Sequence, residues 1–387
     1  MQTTWLDKYF KGDRTIWVIV FILSIFSLLA VYSSTGTLAY KYQKGNTEYY
    51  LFKHLIVLGL GLAIMYGAHR IKYTFYSKMS TVALIITVPL LLMTLVLGTN
   101  LNEASRWLTL PGTNITFQTS DFAKLALVMY VARILSKRQD EEMTLRSIFV
   151  PLLLPVMVVC GLILPANFST SAVLFISCLF LMLIGRVNMK YIGYMFGIGI
   201  LCFGMYVAYA YISGNEGRVK TWISRVERFQ NPETEDNYQS DQAKIAIASG
   251  GLVGKFPGNS TQRNFLPHPY SDFIFAIIIE EYGFIGGVLI LFLYVLLFYR
   301  VIRFIHHSPM AFGTLLSVGC VFILTFQAMI NMAVAVGLFP VTGQPLPLVS
   351  MGGTSIWFTS LGIGIILSVS SQVEKEKKEG GAELATS

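Results

Sequence analysis

The sequence predicts an all-α polytopic membrane protein: a helical bundle of ten transmembrane helices with a large extracytoplasmic loop between helices 7 and 8. Of its 387 residues, 54% are hydrophobic and 13% charged, against about 25% charged in a soluble domain. Mean hydropathy is +0.60. Ten apolar runs approach or exceed the ~20 residues that cross a bilayer. They fall at about 16–33, 50–68, 79–98, 117–135, 148–165, 170–186, 191–212, 272–300, 310–338 and 350–372.

The first run follows Lys8, Lys11 and Arg14; it exceeds a signal-peptide core and reads as an uncleaved span. Glycines within runs, such as Gly59 and Gly61, suit close helix packing in lipid. The fourth run is the weakest, because Gln118, Asp121 and Lys124 lie in its first half. Alternate connections are basic: Arg70, Lys72 and Lys78; Lys137, Arg138 and Arg146; Arg186 and Lys190; Arg300 and Arg303; then Lys375, Lys377 and Lys378. This asymmetry places both termini in the cytoplasm and the 213–271 connection outside. Within that connection 241–247 reads as a short helix and 250–254 as a turn, so it should be ordered. Residues 1–372 then form one membrane domain, and 373–387 a short charged cytoplasmic tail expected to be disordered.

The net charge of +8 sits at the ends of apolar runs, without an arginine-rich face, which excludes nucleic acid as a partner. Cys160, Cys178, Cys202 and Cys320 lie inside apolar runs with no CxxC and no ligand-spaced His. Neither a disulfide framework nor a metal–thiolate site is expected. No Ser–His–Asp arrangement can be assembled from the five His.

Three charged clusters converge on the outer side. Arg106 is suited to bidentate phosphate pairing, and Trp107 to contact with sugar or acyl chain; a headgroup-contacting Arg beside an interfacial Trp is the plainer reading. At 100° per residue, Gln118, Asp121 and Lys124 share an arc of roughly 120° on one helix face, and Asp121 and Lys124 are spaced for an i,i+3 pair. An intramembrane charge should face a protein interior or a wet cavity, as a structural ion pair or as a substrate contact. The third cluster begins at Asp272, which ends the polar stretch 264–272 and opens the eighth run. A carboxylate there is placed to act on a lipid-linked substrate, and apolar surroundings raise its pKa toward the proton-transfer range; helix N-capping is the alternative. Glu280 falls about 12 Å deeper and Glu281 on the opposite side, so the two should not share one task; the plainer reading is that both are structural charges that cap or pair with neighbouring helices.

Two uncharged or weakly charged segments complete the set. The turn at 249–256 resembles a phosphate loop but lacks its first Gly and final Ser/Thr, which rules out a nucleotide site; its amides with Lys255 remain suited to a diphosphate. Residues 340–355, with Ser350, Gly352 and Gly353, break the helical pattern. They read as a re-entrant loop beside the site or as a plain connector.

Five stretches in order, 104–108, 117–124, 239–254, 266–286 and 337–355, resemble the SEDS family (shape, elongation, division and sporulation), polytopic peptidoglycan polymerases. The resemblance implies a ten-helix bundle with its large outer loop between the seventh and eighth helices. It also implies polymerisation of lipid II, an undecaprenyl-diphosphate-linked disaccharide-pentapeptide, at the outer face of the bacterial cytoplasmic membrane. Ser271-Asp272-Phe273-Ile274-Phe275 stands where the family has Thr-Asp-Phe-Ile-Phe, which implies that Asp272 is the base for the acceptor sugar's 4-hydroxyl. Arg106 and Lys124 match functional positions and imply cations for the leaving diphosphate, with Trp107 shaping the cavity. Gln118, Asp121, Lys255, Ser350, Gly352 and Gly353 complete the expected substrate-binding set.

No organic cofactor is expected; a divalent cation, Mg2+ or Mn2+, bridging diphosphate and carboxylate is the one the chemistry invites. The implied partners are a class B penicillin-binding protein transpeptidase and other divisome proteins. The chain departs from the family at 164–170, where an acidic side chain is absent, at Thr119 in place of proline, and at His268-Pro269. A compact chain with short termini favours the division branch over the elongation branch. The rival readings are a lipid II transporter, which has no evident use for a base near the outer surface, and a non-catalytic scaffold.

Overall fold

The structure is a computed structural model that describes residues 9–101, 104–109, 116–138, 145–214, 217–230, 238–306, 308 and 310–386. Its helices are α1 (Arg14–Ser34), α2 (Gly36–Gln43), α3 (Thr47–Arg70), α4 (Tyr73–Leu97), α5 (Thr119–Lys137), α6 (Leu145–Ile163) and α7 (Phe168–Ile184). They continue as α8 (Met189–Ile212), α9 (Gly217–Gln230), α10 (Tyr238–Gly250), α11 (Ile274–Ile305), α12 (Ala311–Ala335) and α13 (Thr354–Thr386). Each apolar run of the sequence falls on a helix. Among the described residues seven helices, α1, α3, α4, α8, α11, α12 and the first part of α13, are long and apolar enough to cross a membrane. Two more, α6 and α7, have shorter apolar stretches. The chain is thus a multi-pass membrane protein. The charged residues Asp121, Lys124, Arg133 and Lys137 set α5 apart.

Two expectations are corrected here. The chain is not all-α: β1 (Thr99–Leu101), β2 (Ala104–Thr109) and β3 (Thr116–Gln118) form an antiparallel sheet in that order. Thr99, Trp107, Thr109, Thr116 and Phe117 are strand-favouring residues, and their pairing delays the helix to Thr119. The tail beyond 372 is helical rather than disordered, because α13 continues to Thr386; Glu and Lys at 374–379 are good helix formers.

The chain divides into two compact units: Met1–Tyr76, Gln239–Leu338 and Gly343–Ser387 in the first, Ser77–Tyr238 and Phe339–Thr342 in the second. In the first, α13 packs closely along α3 through small residues. A Cβ on Gly61 would stand 2.9 Å from Ser360 Oγ, and one on Gly364 2.7 Å from Ala68 Cβ. Glycine permits that approach, and Trp357 Nε1 donates across it to Val57 O at 3.0 Å. Asp13, buried at the start of α1, caps Thr15 N and pairs with Arg300 of α11 at 2.6 Å.

Within α11 the helix breaks at Gly283 (φ 71°, ψ −174°). The chain at 251–255 lies against the break and satisfies it: Phe284 N donates to Gly251 O at 2.9 Å, Ile285 N to Leu252 O at 3.3 Å, and Lys255 N to Glu280 O at 3.0 Å. A broken helix otherwise leaves orphan amides and carbonyls. A Cβ on Gly250, Gly254 or Gly283 would collide with the facing backbone.

In the second unit, Trp222 of α9 packs on Phe168 and Tyr206, with ring centroids 5.3 and 6.0 Å away. Arg218 Nη2 donates to Ala166 O and Arg225 Nη1 to Val341 O, at 3.2 and 3.1 Å. The 213–271 connection contains α9, α10 and a 3-10 turn at Gln262–Asn264. The expected helix at 241–247 lies inside α10, and the turn follows at 251–253.

Candidate active site

Asp272 precedes α11 by two residues. The N-cap is Phe273, with no side-chain capping bond, so the capping alternative does not hold. The Asp272 side chain is half-buried and its Oδ1 accepts from Ser271 Oγ at 2.9 Å. The backbone of 270–272 is held by two other elements of the same unit. Asn331 Nδ2, on α12, donates to Asp272 O at 2.8 Å and to Gln344 O at 2.7 Å. Ser350 Oγ donates to Ser271 O at 2.6 Å, and Met351 N to Tyr270 O at 2.9 Å.

The segment 343–353 is therefore more than a connector. Gln344, Leu346 and Ser350 are buried although the backbone is not helical, and its polar groups are paired within the protein, as buried irregular backbone requires. Gln327 Nε2 donates to Pro345 O at 2.9 Å, Tyr294 OH to Pro347 O, and Ser27 Oγ to Val349 O at 2.9 Å. Gly353 adopts φ +53° and, with Gly352, turns the chain into α13. Beside Asp272, burial and then the carboxylate itself push the Tyr270 phenol above its ordinary pKa. His268 Nδ1 lies 3.4 Å from Tyr270 OH.

Glu280 and Glu281 correct the expectation that they share no task. Glu280 accepts from Lys255 Nζ at 2.8 Å, Ser260 Oγ at 2.5 Å and Thr261 Oγ1 at 2.9 Å. Glu281 accepts from Ser260 N at 3.3 Å and from Ser33 Oγ. Both carboxylates hold the 255–262 segment, because that segment wraps the end of the first half of α11 where Gly283 stops it. The Lys255 ammonium thus already faces a buried carboxylate. Gly254 N and Lys255 N are paired with Gly250 O and Glu280 O, so these two amides are not available to cradle a diphosphate.

In the second unit, Trp107 is half-buried on β2, opposite Gln118 of β3. The side chain of its neighbour Arg106 lies outside the described residues. Gln118 is extended (φ −88°, ψ 103°) and its Nε2 donates to Ser120 Oγ at 3.1 Å; it ends a strand rather than sharing a helix face with Asp121 and Lys124. Those two do form the expected pair, at 2.8 Å, with side chains 4% and 11% exposed. Among the described residues no group of three or more His, Cys, Asp or Glu side chains could hold a metal ion.

Sequence reasoning missed Asn331, Gln344 and Tyr270. Gln327 and Asn331, four residues apart in an apolar run, were the available signal, since polar side chains in a span face protein.

Fold and site define a multi-pass membrane protein that presents a carboxylate over a buried, non-helical floor. The model of the cell cycle protein family that unites FtsW, RodA and SpoVE matches residues 13–375. The chain belongs to this family. It is 31% identical over 365 residues to the probable peptidoglycan glycosyltransferase FtsW of Trichlorobacter lovleyi, covering 93% of each chain. It is 31% identical over 368 residues to stage V sporulation protein E of Bacillus subtilis, covering 94% of this chain and 98% of that protein. The crystal structure of Thermus thermophilus rod shape determining protein RodA shares the fold, with a TM-score of 0.68 at 23% identity over 94% of this chain and 98% of that one.

Proposed function

We propose that the protein is a peptidoglycan glycosyltransferase that polymerises lipid II at the outer face of the cytoplasmic membrane, in the division branch of its family. The observation that carries the reading is Asp272: a half-buried carboxylate whose own carbonyl is held by Asn331 and whose two preceding carbonyls, Ser271 and Tyr270, are held by Ser350 and Met351. Fixing a base within reach of its proton is what general base catalysis needs. Asp272 removes the proton from the acceptor's 4-hydroxyl, the resulting oxygen bonds to the donor's anomeric carbon, and the bond to the lipid diphosphate breaks. Arg106 and Lys124 offset the charge on the departing diphosphate, while Trp107, Gln118 and Asp121 shape the substrate cavity. Ser350, Gly352 and Gly353 serve by holding the Asp272 turn, and Lys255 by anchoring the loop above it through Glu280.

In this reading 1–372 is one membrane domain with ten spans, the connection 213–271 lies outside, and the tail is cytoplasmic. A class B penicillin-binding protein is the partner transpeptidase, alongside other divisome proteins. A Mg2+ or Mn2+ ion would be held by the diphosphate and Asp272.

The test is to purify the protein with its partner transpeptidase and supply labelled lipid II. Glycan chains that vanish in Asp272→Ala, with folding and partner binding retained, are expected. Equal polymer from the variant removes Asp272 as the base, and transbilayer movement without polymer makes the protein a transporter.

A further inference from the structure

The turn after α10 carries an apolar tip. Gly251, Leu252, Val253 and Gly254 are uncharged, and Leu252, Val253 and Phe256 are 71%, 64% and 67% exposed. Phe256 also holds a left-handed backbone, φ 68°, which is uncommon for a bulky residue. A surface in water rarely clusters large apolar side chains without something to cover them.

The depth of this tip follows from two polar contacts between α1 and α11. Asp13 pairs with Arg300, and Ser33 Oγ donates to Glu281. Along α1 these levels are roughly 30 Å apart at 1.5 Å per residue, which equals the thickness of a hydrocarbon core, about 30 Å. Between them both helices run without a charged residue, over 15–34 and 284–299. Phe284 lies roughly 24 Å from Arg300 by the same rise, within that interval. Phe284 N and Ile285 N donate to Gly251 O and Leu252 O, so the tip stands level with Phe284. Phe284, Ile285 and Val288 beside it are exposed, and the tip thus extends the apolar surface of a helix that can cross a membrane. The backbone suits that depth. Gly251 O, Leu252 O, Gly254 N and Lys255 N are all paired across or beside the break, as irregular backbone within hydrocarbon requires. The Lys255 ammonium reaches back to Glu280, away from the tip.

We propose that the 251–256 turn, unlike the rest of its connection, is a wedge seated in the edge of the bilayer hydrocarbon, with Leu252, Val253 and Phe256 against lipid acyl chains. This goes beyond the glycosyltransferase reading and does not depend on its chemistry. It is tested on the full-length protein in lipid nanodiscs, with a nitroxide attached at Leu252→Cys or Val253→Cys and the labelled wild type, with its four native cysteines, as background. Collision of the label with oxygen, which concentrates in lipid, is compared with collision with a water-soluble nickel chelate. Phe292→Cys, on the exposed face of α11, and Asn264→Cys, in the polar stretch before Asp272, set the lipid and water limits. Labels at 252 and 253 should favour oxygen to the same degree as Phe292→Cys, and either variant suffices if the other does not fold. A preference for nickel like that of Asn264→Cys puts the tip in water and overturns the proposal. Low collision with both agents, the mark of a covering protein surface or a second copy, overturns it too.

Discussion

Asn331 has no chemistry of its own to offer a sugar, yet it reaches the backbone of the proposed base. Replacing it with Leu leaves the carbonyls of Asp272 and Gln344 short of a donor, at a cost of about 1–3 kcal/mol for unsatisfied buried groups. The expected effect on polymerisation is a fall in kcat of roughly 10–100-fold with KM for lipid II little changed; an unaltered kcat removes the positioning role. Lys124 invites a different experiment. Removing one partner of a buried ion pair typically costs about 3–5 kcal/mol, so Lys124→Met should lower the thermal midpoint sharply, and adding Asp121→Asn should restore most of it. A Lys124→Met protein as stable as the wild type but inactive would remove the structural role of the pair and leave the lysine only its proposed role at the diphosphate. At this scale the Asp121–Lys124 pair was legible, because i,i+3 spacing is a local property of a helix. That Glu280 and Glu281 pair structurally was legible too; their particular partners were not, since those at 255–262 lie 18–25 residues away in a loop whose path depends on tertiary structure and Ser33 of α1 lies 248 residues away.

Gly254 and Gly258 let the elements be tested by contrast. Both take a left-handed backbone, φ +88° and +84°, but Gly254 faces the carbonyl of Glu281 whereas Gly258 has open space around its missing Cβ. Gly258→Ala should cost only the conformational penalty, about 1–2 kcal/mol. Gly254→Ala adds displacement of the 251–255 turn from the break in α11, and thermal unfolding in detergent should separate the two clearly; equal losses would mean that the turn is not seated in the break. Every helix of ten or more apolar residues was readable from hydropathy alone, because backbone satisfaction in a membrane leaves helix as the ready answer. The β1–β3 sheet was not, because strands of 3, 6 and 3 residues carry too little periodic signal. Nor was the end of α13, where good helix formers were read as a solvated charge run.

For the whole molecule, hydropathy was enough to indicate a polytopic membrane protein, while the division into two compact units had no composition signal. The break at Gly283 has a consequence at this scale. An unbroken α11 of 32 residues would be roughly 48 Å long at 1.5 Å per residue, against a hydrocarbon core of about 30 Å. Its second half, 284–305, is roughly 33 Å long by the same rise and matches that thickness alone. Changes in bilayer thickness can then be met by tilting the second half, without rotating the short half that leads directly to Asp272. Reconstituted in lipids of increasing chain length, the wild-type protein should keep a nearly constant polymerisation rate, whereas Gly283→Ala should make that rate depend on thickness. A single glycine would thus act as a mechanical insulator between the membrane and the chemistry.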